Sequence, residues 1–182
     1  MEDLALSRQI EEKLVELNPR NMKPMSMILK PGYCLRAANL LGDAKGNIII
    51  GTGFPVAGTF ETDGPVGAMV IYRALEEMGC TPWIASEPIL NSALERDYRT
   101  IELTIDDAQN AETSANEILA KLNPSLVLSI ERPGRTKDGN YYNMRSEKIN
   151  SEVAVFDPFI ELSKCPTICI GDGGNEIGMG NL

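Results

Sequence analysis

The chain has 182 residues, with 17 basic and 26 acidic side chains, no histidine and a formal net charge of −9. Without histidine, imidazole-based catalytic triads and histidine zinc ligands are excluded, so metal binding must use oxygen or sulfur donors. The negative net charge repels phosphate groups, which argues against a nucleic acid as a partner. The length suffices for a sizeable core, and we predict a single domain over residues 1–182.

The amino terminus and the cysteines indicate where the protein resides. The first residues are acidic and lack the basic segment and apolar run of a signal or transit peptide. No apolar stretch approaches the roughly 20 residues that span a bilayer. The four cysteines are scattered, which does not suggest a secreted disulfide framework. We therefore expect a cytoplasmic protein without a membrane partner.

Residues 1–45 are predicted to form a helical amino-terminal segment. Apolar residues recur every three or four positions in Leu4–Leu17, which predicts a helix that ends at Asn18 and Pro19. After a stretch interrupted by two prolines, Leu35–Leu41 is predicted as a further helix. The methionines in between are expected to pack in the core or in a subunit contact, which allows a homo-oligomer.

From residue 47 onward, predicted strands and helices alternate. Short continuous apolar runs predict buried strands at 47–50, 83–85, 101–105, 125–130 and 166–170. Helical periodicity predicts helices at 65–79 and 113–122, whereas 153–162 fits either a helix or a strand. The alternation predicts an α/β layered sandwich with a mostly parallel sheet flanked by helices.

Three of the predicted strands are followed by glycines and charged or polar side chains. In parallel sheets, ligands bind beyond the carboxyl ends of the strands, so these loops are expected to converge on one site. The candidate residues are Gly51, Thr52, Gly53, Glu61 and Asp63 after the first strand, Glu131, Arg132, Tyr142, Asn143 and Arg145 after the fourth, and Asp172, Gly173, Gly174, Asn175 and Glu176 after the last.

The last of these loops combines two carboxylates with flexible backbone. Asp172 and Glu176 lie four positions apart and offer hard oxygen donors, which suit Mg²⁺ or Mn²⁺. Gly173 and Gly174 let the backbone approach a ligand closely and present N–H groups to an anion. The alternative is a tight glycine turn in which Asp172 and Asn175 cap a helix.

The loop after the first strand carries Glu61 and Asp63, which we predict to bind metal or substrate. The alternative for Asp63 is a helix N-cap, because Pro65 would be a favourable first helical residue. A cap explains neither Glu61 nor the preceding Gly51–Gly53 loop.

The loop after the fourth strand contains the candidate catalytic residues. Arg132 and Arg145 are planar bidentate donors suited to a carboxylate or phosphate. Tyr142 and Asn143 are placed to orient a small polar substrate. The alternative is a solvated turn with an aromatic anchor.

Together these segments resemble the D-glutamate cyclase family, more narrowly its carboxy-terminal domain. The resemblance is carried by Gly-Phe-Pro-Val with Glu-Thr-Asp-Gly-Pro, by Glu-Arg-Pro-Gly with Asp-Gly-Asn-Tyr-Tyr-Asn-Met-Arg, and by Ile-Gly-Asp-Gly-Gly-Asn-Glu-Ile-Gly-Met-Gly-Asn. It implies conversion of D-glutamate, or a similar acidic amino acid, to 5-oxo-D-proline and water with a divalent metal, Mn²⁺ or Mg²⁺. Because the family domain continues past the last motif, the chain is expected to be incomplete at its carboxyl end.

For such a reaction, the absence of histidine leaves a carboxylate, a metal-bound hydroxide, a lysine or a tyrosine as the base. Our hypothesis assigns Glu61, Asp63, Asp172 and Glu176 to the metal shell and Glu131 to the role of base. Either Arg132 or Arg145, in the loop after the fourth strand, is then expected to hold the α-carboxylate of the substrate.

Two alternatives stay open. Gly-Asp-Gly-Gly-Asn-Glu is similar to the last acidic motif of haloacid-dehalogenase-type phosphatases, whose nucleophile motif would need Asp at the position of Glu61. The second alternative is a metal- or anion-binding regulatory module without turnover.

Overall fold

The computed structural model describes residues 2–18, 20–105 and 108–181, so the predicted helix stop at Pro19 lies outside the described residues. The strands in these ranges are β1 (Asn47–Thr52), β2 (Pro55–Val56), β3 (Thr59–Phe60), β4 (Thr81–Ser86), β5 (Thr100–Glu102), β6 (Leu126–Ile130) and β7 (Thr167–Ile170). The helices are α1 (Glu2–Leu14), α2 (Met22–Ile28), α3 (Tyr33–Asp43), α4 (Asp63–Glu77), α5 (Pro88–Leu94), α6 (Ala108–Leu122) and α7 (Asp157–Glu161), with a 3-10 turn at Met179–Asn181. None of the helices in the described ranges has the length and apolarity required to cross a membrane.

The main sheet confirms the predicted α/β layered sandwich. Its strands lie in the order β5-β4-β1-β6-β7, and each neighbouring pair is parallel. The central strand β1 is buried from Ile48 onward, and β6 is buried throughout. Such continuous apolar strands are expected where helices cover both faces of a sheet. The short strands β2 and β3 form a separate antiparallel hairpin.

Alternate side chains of the central strands pack into two hydrophobic layers. Ile48 and Ile50 point to one face, where they join side chains of α3, α4 and α5. Ile49 and Val127 point to the other face and pack against α6 and α7. The period of two along each strand therefore builds both layers of the core from one apolar run.

The strand order places a crevice between β1 and β6. From β1 the chain passes through α4 and α5 on one face to β4 and β5, and it then returns through α6 on the other face to β6. The connections that follow β1 and β6 thus leave toward opposite faces. At such a topological switch point the loops diverge and leave room for a ligand beyond the carboxyl ends of the strands.

Helix α1 is shorter than predicted, and its apolar stripe faces solvent. Its buried side chains are Ser7 and Glu11, whereas Leu14 is 67% exposed. The carboxylate of Glu11 accepts hydrogen bonds from the backbone N–H groups of Gly32 and Cys34 at the start of α3. Polar capping of α3, and not apolar burial, therefore orients this helix on its neighbour.

Other departures have local causes. Helix α5 and the β2–β3 hairpin lie in segments without a clear apolar period and were not predicted, and β5 ends at Glu102 although the apolar run continues to Ile105. In the ambiguous region, Val153 to Phe156 is buried without regular structure, and α7 follows it. Helix α4 begins at Asp63, two residues before the predicted start, and two of its apolar residues, Val66 and Val70, are more than half exposed. The four cysteines are free thiols.

Candidate functional site

Three carboxylates meet at the carboxyl edge of the sheet, on the β6 side of the switch point. Glu131 directly follows β6, and Asp172 and Glu176 follow β7. One carboxylate oxygen of each lies within 4.8 Å of those of the other two, the one such group of potential ligands within the described part of the chain. Carboxylate oxygens are the donors that Mg²⁺ and Mn²⁺ prefer.

Backbone hydrogen bonds join the loops that carry these carboxylates. The N–H of Gly134 donates to the carbonyl of Asn175 at 2.9 Å, and the N–H of Ile177 donates to the carbonyl of Arg132 at 2.9 Å. A Cβ on Gly134 would lie 2.9 Å from the backbone of Glu176. The close approach of the two loops therefore requires glycine at this position.

The glycines of the last loop hold Glu176 in place. The N–H groups of Gly173 and Gly174 donate to its two carboxylate oxygens, each at 2.7 Å. A Cβ on Gly171 or Gly173 would lie within 3.0 Å of the Glu176 side chain. The anion that these predicted N–H donors bind is therefore Glu176 itself, which is 5% exposed.

Glu131 combines an uncommon backbone conformation with surroundings that disfavour its charged form. Its φ is +50°, an uncommon conformation for a residue with a side chain. Burial raises the pKa of Glu131 to about 8, and the negative charges of Asp172, Glu176 and Asp63 add to this effect. A carboxyl group in this position is costly to ionise unless a cation is near.

The surroundings of Glu131 also fit a hard cation. The Thr52 side chain is fully buried, and among the described residues its hydroxyl oxygen has no hydrogen-bond partner. A Cβ built on Gly64 would lie 2.7 Å from the Cβ of Glu131 and 3.1 Å from this hydroxyl oxygen. A hydroxyl oxygen that is unpaired among the described residues thus lies near the base of the Glu131 side chain, and the three clustered carboxylates supply oxygen donors, so the donor set fits the implied divalent metal.

Glu61 and Asp63, the other two predicted metal ligands, stand outside the cluster of three. Burial raises the pKa of Glu61, and the charges of Asp63, Asp172 and Glu176 raise it further. Asp63 is exposed, and its carboxylate accepts a hydrogen bond from the N–H of Gly64 at 3.0 Å. Asp63 is the first residue of α4 and not its N-cap. These two residues therefore form the rim of the site.

Arg132 does not face the carboxylates. Its side chain is fully buried, and Nη1 donates to the carbonyls of Thr52 and Gly53 at 3.2 Å each and to the carboxylate of Glu87 at 2.5 Å. Its Nη2 donates to the carbonyl of Ala154. This placement corrects the expectation that Arg132 holds a substrate carboxylate, because its Nη donors are already used inside the protein. Arg132 instead positions the loop after β1.

Gly51, near the end of β1, and Gly53, just after it, are closely packed. A Cβ on Gly51 would overlap the ring of Phe156. Gly53 has φ of +105°, and a Cβ there would lie 2.8 Å from Glu87 and 3.0 Å from Leu90. Close packing therefore explains why glycine stands at these two positions, and the predicted contacts of their backbone with a substrate stay predictions.

The Tyr142–Arg145 segment forms a hydrogen-bonded turn. The hydroxyl of Tyr142 donates to Asp138 at 2.7 Å, and Oδ1 of Asn143 accepts from the N–H of Arg145 at 2.9 Å. Arg145 is exposed. Asn175 ties this turn to the last loop, because its amide donates to the carbonyl of Tyr142 at 2.8 Å.

The aromatic anchor of this turn is Tyr141, which is 3% exposed. Its hydroxyl donates to Asp157 at 2.5 Å. The alternative of a solvated turn with an aromatic anchor therefore describes the geometry well.

One residue of the site could not be found by sequence reasoning. Nη1 of Arg20, between α1 and α2, donates to Oδ1 of Asp172 at 2.5 Å, although the two residues are 152 positions apart. The charge of Arg20 also acts on Glu61 and Glu131, where it opposes the rise in pKa that burial causes. No local motif surrounds Arg20, so only the folded chain reveals its proximity.

Fold and site together define a parallel α/β protein with a cluster of three carboxylates beside its topological switch point. The chain belongs to the D-glutamate cyclase-like, C-terminal family, whose model matches residues 12–182. It is 31% identical over 194 residues to the human protein named D-glutamate cyclase, mitochondrial, and this match covers 94% of the chain but 31% of that relative. A solved glycosyltransferase from Rickettsia africae is similar over 69% of this chain and 29% of its own, at 17% identity and a TM-score of 0.41.

Proposed function

We propose that this chain acts as a D-glutamate cyclase-like lyase, which converts D-glutamate to 5-oxo-D-proline and water with a bound divalent cation. The observation that carries the proposal is the clustering of Glu131, Asp172 and Glu176 at the carboxyl edge of the sheet, where one oxygen of each lies within 4.8 Å of the others. Membership of the family supports the substrate class. Because the chain spans only 31% of the length of its human relative, the activity of that whole protein enters here as part of the proposal.

The reaction forms one C–N bond and breaks one C–O bond. The α-amine attacks the γ-carboxyl carbon, and the departing oxygen takes up two protons from the ammonium group and leaves as water. When bound, a divalent cation supplies Lewis-acid polarisation of a carboxylate and stabilises a developing oxyanion. Glu131, Asp172 and Glu176 are the residues that would hold it.

Glu131 moves from the role of base to that of metal ligand in this proposal. One of its oxygens lies within 4.8 Å of those of Asp172 and Glu176, so all three would share one cation. The proton acceptor is then one of the two carboxylates at the rim, Glu61 or Asp63. Glu61 is the better candidate there, because burial and the neighbouring carboxylates raise its pKa and make it a stronger base than a free glutamate.

Formation of 5-oxoproline from D-glutamate tests the proposal directly. Purified protein is assayed by NMR with Mn²⁺ or Mg²⁺ and again with EDTA, beside an Asp172→Asn, Glu176→Gln double variant. Loss of two ligands should reduce turnover by at least about 100-fold, the scale expected when an electrostatic stabiliser of the transition state is removed. Asp97→Asn, which removes an exposed carboxylate at the opposite edge of the sheet, is the matched control. Full metal-dependent turnover by the double variant would contradict the metal assignment.

A metal-binding module without turnover is the second candidate function. The observation that favours it is that Glu131, Asp172 and Glu176 offer oxygen donors to a cation, whereas Arg132, which was predicted to hold the substrate, is fully buried. Calorimetric binding of Mn²⁺ that requires Asp172, with no 5-oxoproline formed by any metal-loaded sample, would select this function.

The phosphatase alternative stays a prediction, which release of phosphate from a generic aryl phosphate would test. The cytoplasmic location and a homo-oligomeric state also stay predictions.

A further inference from the structure

Arg20 belongs to the site by geometry, although it comes from the amino-terminal segment. Its guanidinium contacts Asp172, one of the three clustered carboxylates, and the two side chains are 40% and 51% exposed. The contact uses one donor, Nη1, of the five that a guanidinium carries. The group is thus fixed at the mouth of the site with much of its fork turned toward solvent.

The charge balance of the site calls for such a group. Five carboxylates lie at this edge of the sheet, where Asp63, Asp172 and Glu176 each contribute negative charge that acts on Glu131. A substrate with two carboxylates of its own is repelled from this rim unless positive groups receive it. The cluster of three is suited to a cation, so one substrate carboxylate still needs a donor outside that cluster.

The arginines predicted from sequence do not meet this need. Arg132 is fully buried, with both terminal nitrogens bonded to protein groups. Arg145 lies exposed on the turn after Tyr142. Arg20 combines partial exposure with direct contact to the acidic cluster.

We propose that Arg20 recognises the α-carboxylate of the substrate. It would thereby give the site its preference for molecules that carry this carboxylate over analogues that lack it. This inference rests on the proposed function. Asp172 holds the guanidinium at the rim, and a bidentate pair with a carboxylate uses the donors that Asp172 leaves free. An isolated ammonium offers no such planar fork, so lysine replaces this function only in part.

Two small molecules that differ by one carboxylate test the proposal without turnover. The product, 5-oxo-D-proline, and its analogue 2-pyrrolidinone share the lactam ring, but only the first carries the carboxylate. Their dissociation constants are measured by NMR titration in the presence of Mg²⁺, for the unaltered protein and for Arg20→Met and Arg20→Lys. Arg96→Met, an exposed arginine at the opposite edge of the sheet, is the matched control.

We expect the unaltered protein and Arg96→Met to bind 5-oxo-D-proline more tightly than 2-pyrrolidinone. Arg20→Met should raise the dissociation constant of 5-oxo-D-proline by about 10- to 100-fold, as expected for the loss of a hydrogen bond between charged groups. Its affinity for 2-pyrrolidinone should be unchanged, which also shows that the variant is folded. Arg20→Lys should fall between the two.

The outcomes separate this inference from the function on which it rests. If Arg20→Met keeps the full preference for 5-oxo-D-proline, the role of Arg20 is refuted and the proposed function stands. If the unaltered protein binds neither molecule and forms no 5-oxoproline from D-glutamate, the proposed function is refuted, and the role of Arg20 is refuted with it.

Discussion

Arg132→Met removes a fully buried guanidinium and leaves its partners without a donor. The carboxylate of Glu87, 11% exposed, loses the ion pair that it makes at 2.5 Å. The carbonyls of Thr52, Gly53 and Ala154 lose their hydrogen bonds to the same group. Breaking a buried pair by removal of one partner costs about 3–5 kcal/mol, because the other charge stays buried and uncompensated.

The expected loss is therefore about 4 kcal/mol of the free energy of unfolding, which corresponds to a melting temperature lower by about 10 °C in a chain of this size. Urea unfolding followed through the single tryptophan, Trp83, measures it. Trp83 lies on the central sheet, where its indole N–H donates to Asn47, so its fluorescence reports on the core.

Two further variants separate charge burial from general damage. Arg132→Met combined with Glu87→Leu removes both charges and should recover part of the lost stability, since no unpaired ion is left behind. Arg96→Met, at an exposed position, should stay within about 0.5 kcal/mol of the unaltered protein. If Arg132→Met kept full stability and only raised the KM for D-glutamate, Arg132 would be a substrate ligand and the reasoning would be wrong.

Three more predictions follow from the same contacts. In EDTA, the free energy of unfolding should fall by about 2 kcal/mol as the pH rises from 4.5 to 8, because folded Glu131, with its pKa raised to about 8, keeps a proton that the unfolded chain loses. Without solvent screening the same pKa difference would correspond to a fall of about 5 kcal/mol. The fall should vanish in Glu131→Gln. Mn²⁺ at 100 times its dissociation constant should stabilise the protein by about 2.7 kcal/mol in thermal melts, and the same concentration should stabilise Asp172→Asn much less. Gly51→Ala should cost about 1–3 kcal/mol because its Cβ meets the ring of Phe156, whereas Gly42→Ala, in open space on α3, should be neutral or stabilising; equal melting temperatures for the two would contradict the packing argument.

Much of the fold could be predicted from the sequence, because its information is local. An apolar run such as Ile48–Ile50 is compatible with a strand covered on both faces. The glycines and carboxylates that follow it indicate a loop before the next helix, α4. The same reasoning placed Asp172 and Glu176 at one strand end, where the structure finds them together. Hydrophobic period and turn chemistry act over a few residues, so one sequence suffices to read them.

Side-chain direction in the loops was decided by the tertiary structure. Glu131 and Arg132 are adjacent in sequence, yet one carboxylate joins the acidic cluster and the other side chain turns into the core. The left-handed backbone at Glu131 breaks the regular alternation of the strand before it, and no pattern of residue types reveals that conformation. The predicted roles of Glu131 as base and of Arg132 as hydrogen-bond donor to the substrate carboxylate depended on these side-chain directions.

By itself, the sequence determined an α/β protein with carboxylates at its strand ends and no histidine, since these are properties of composition and of the hydrophobic period. The tertiary structure decided the strand order, which puts the switch point between β1 and β6, and it brought Arg20 against Asp172. Both depend on contacts between residues far apart in the chain. Packing and charge select such contacts only when the whole chain folds, because no local segment contains both partners.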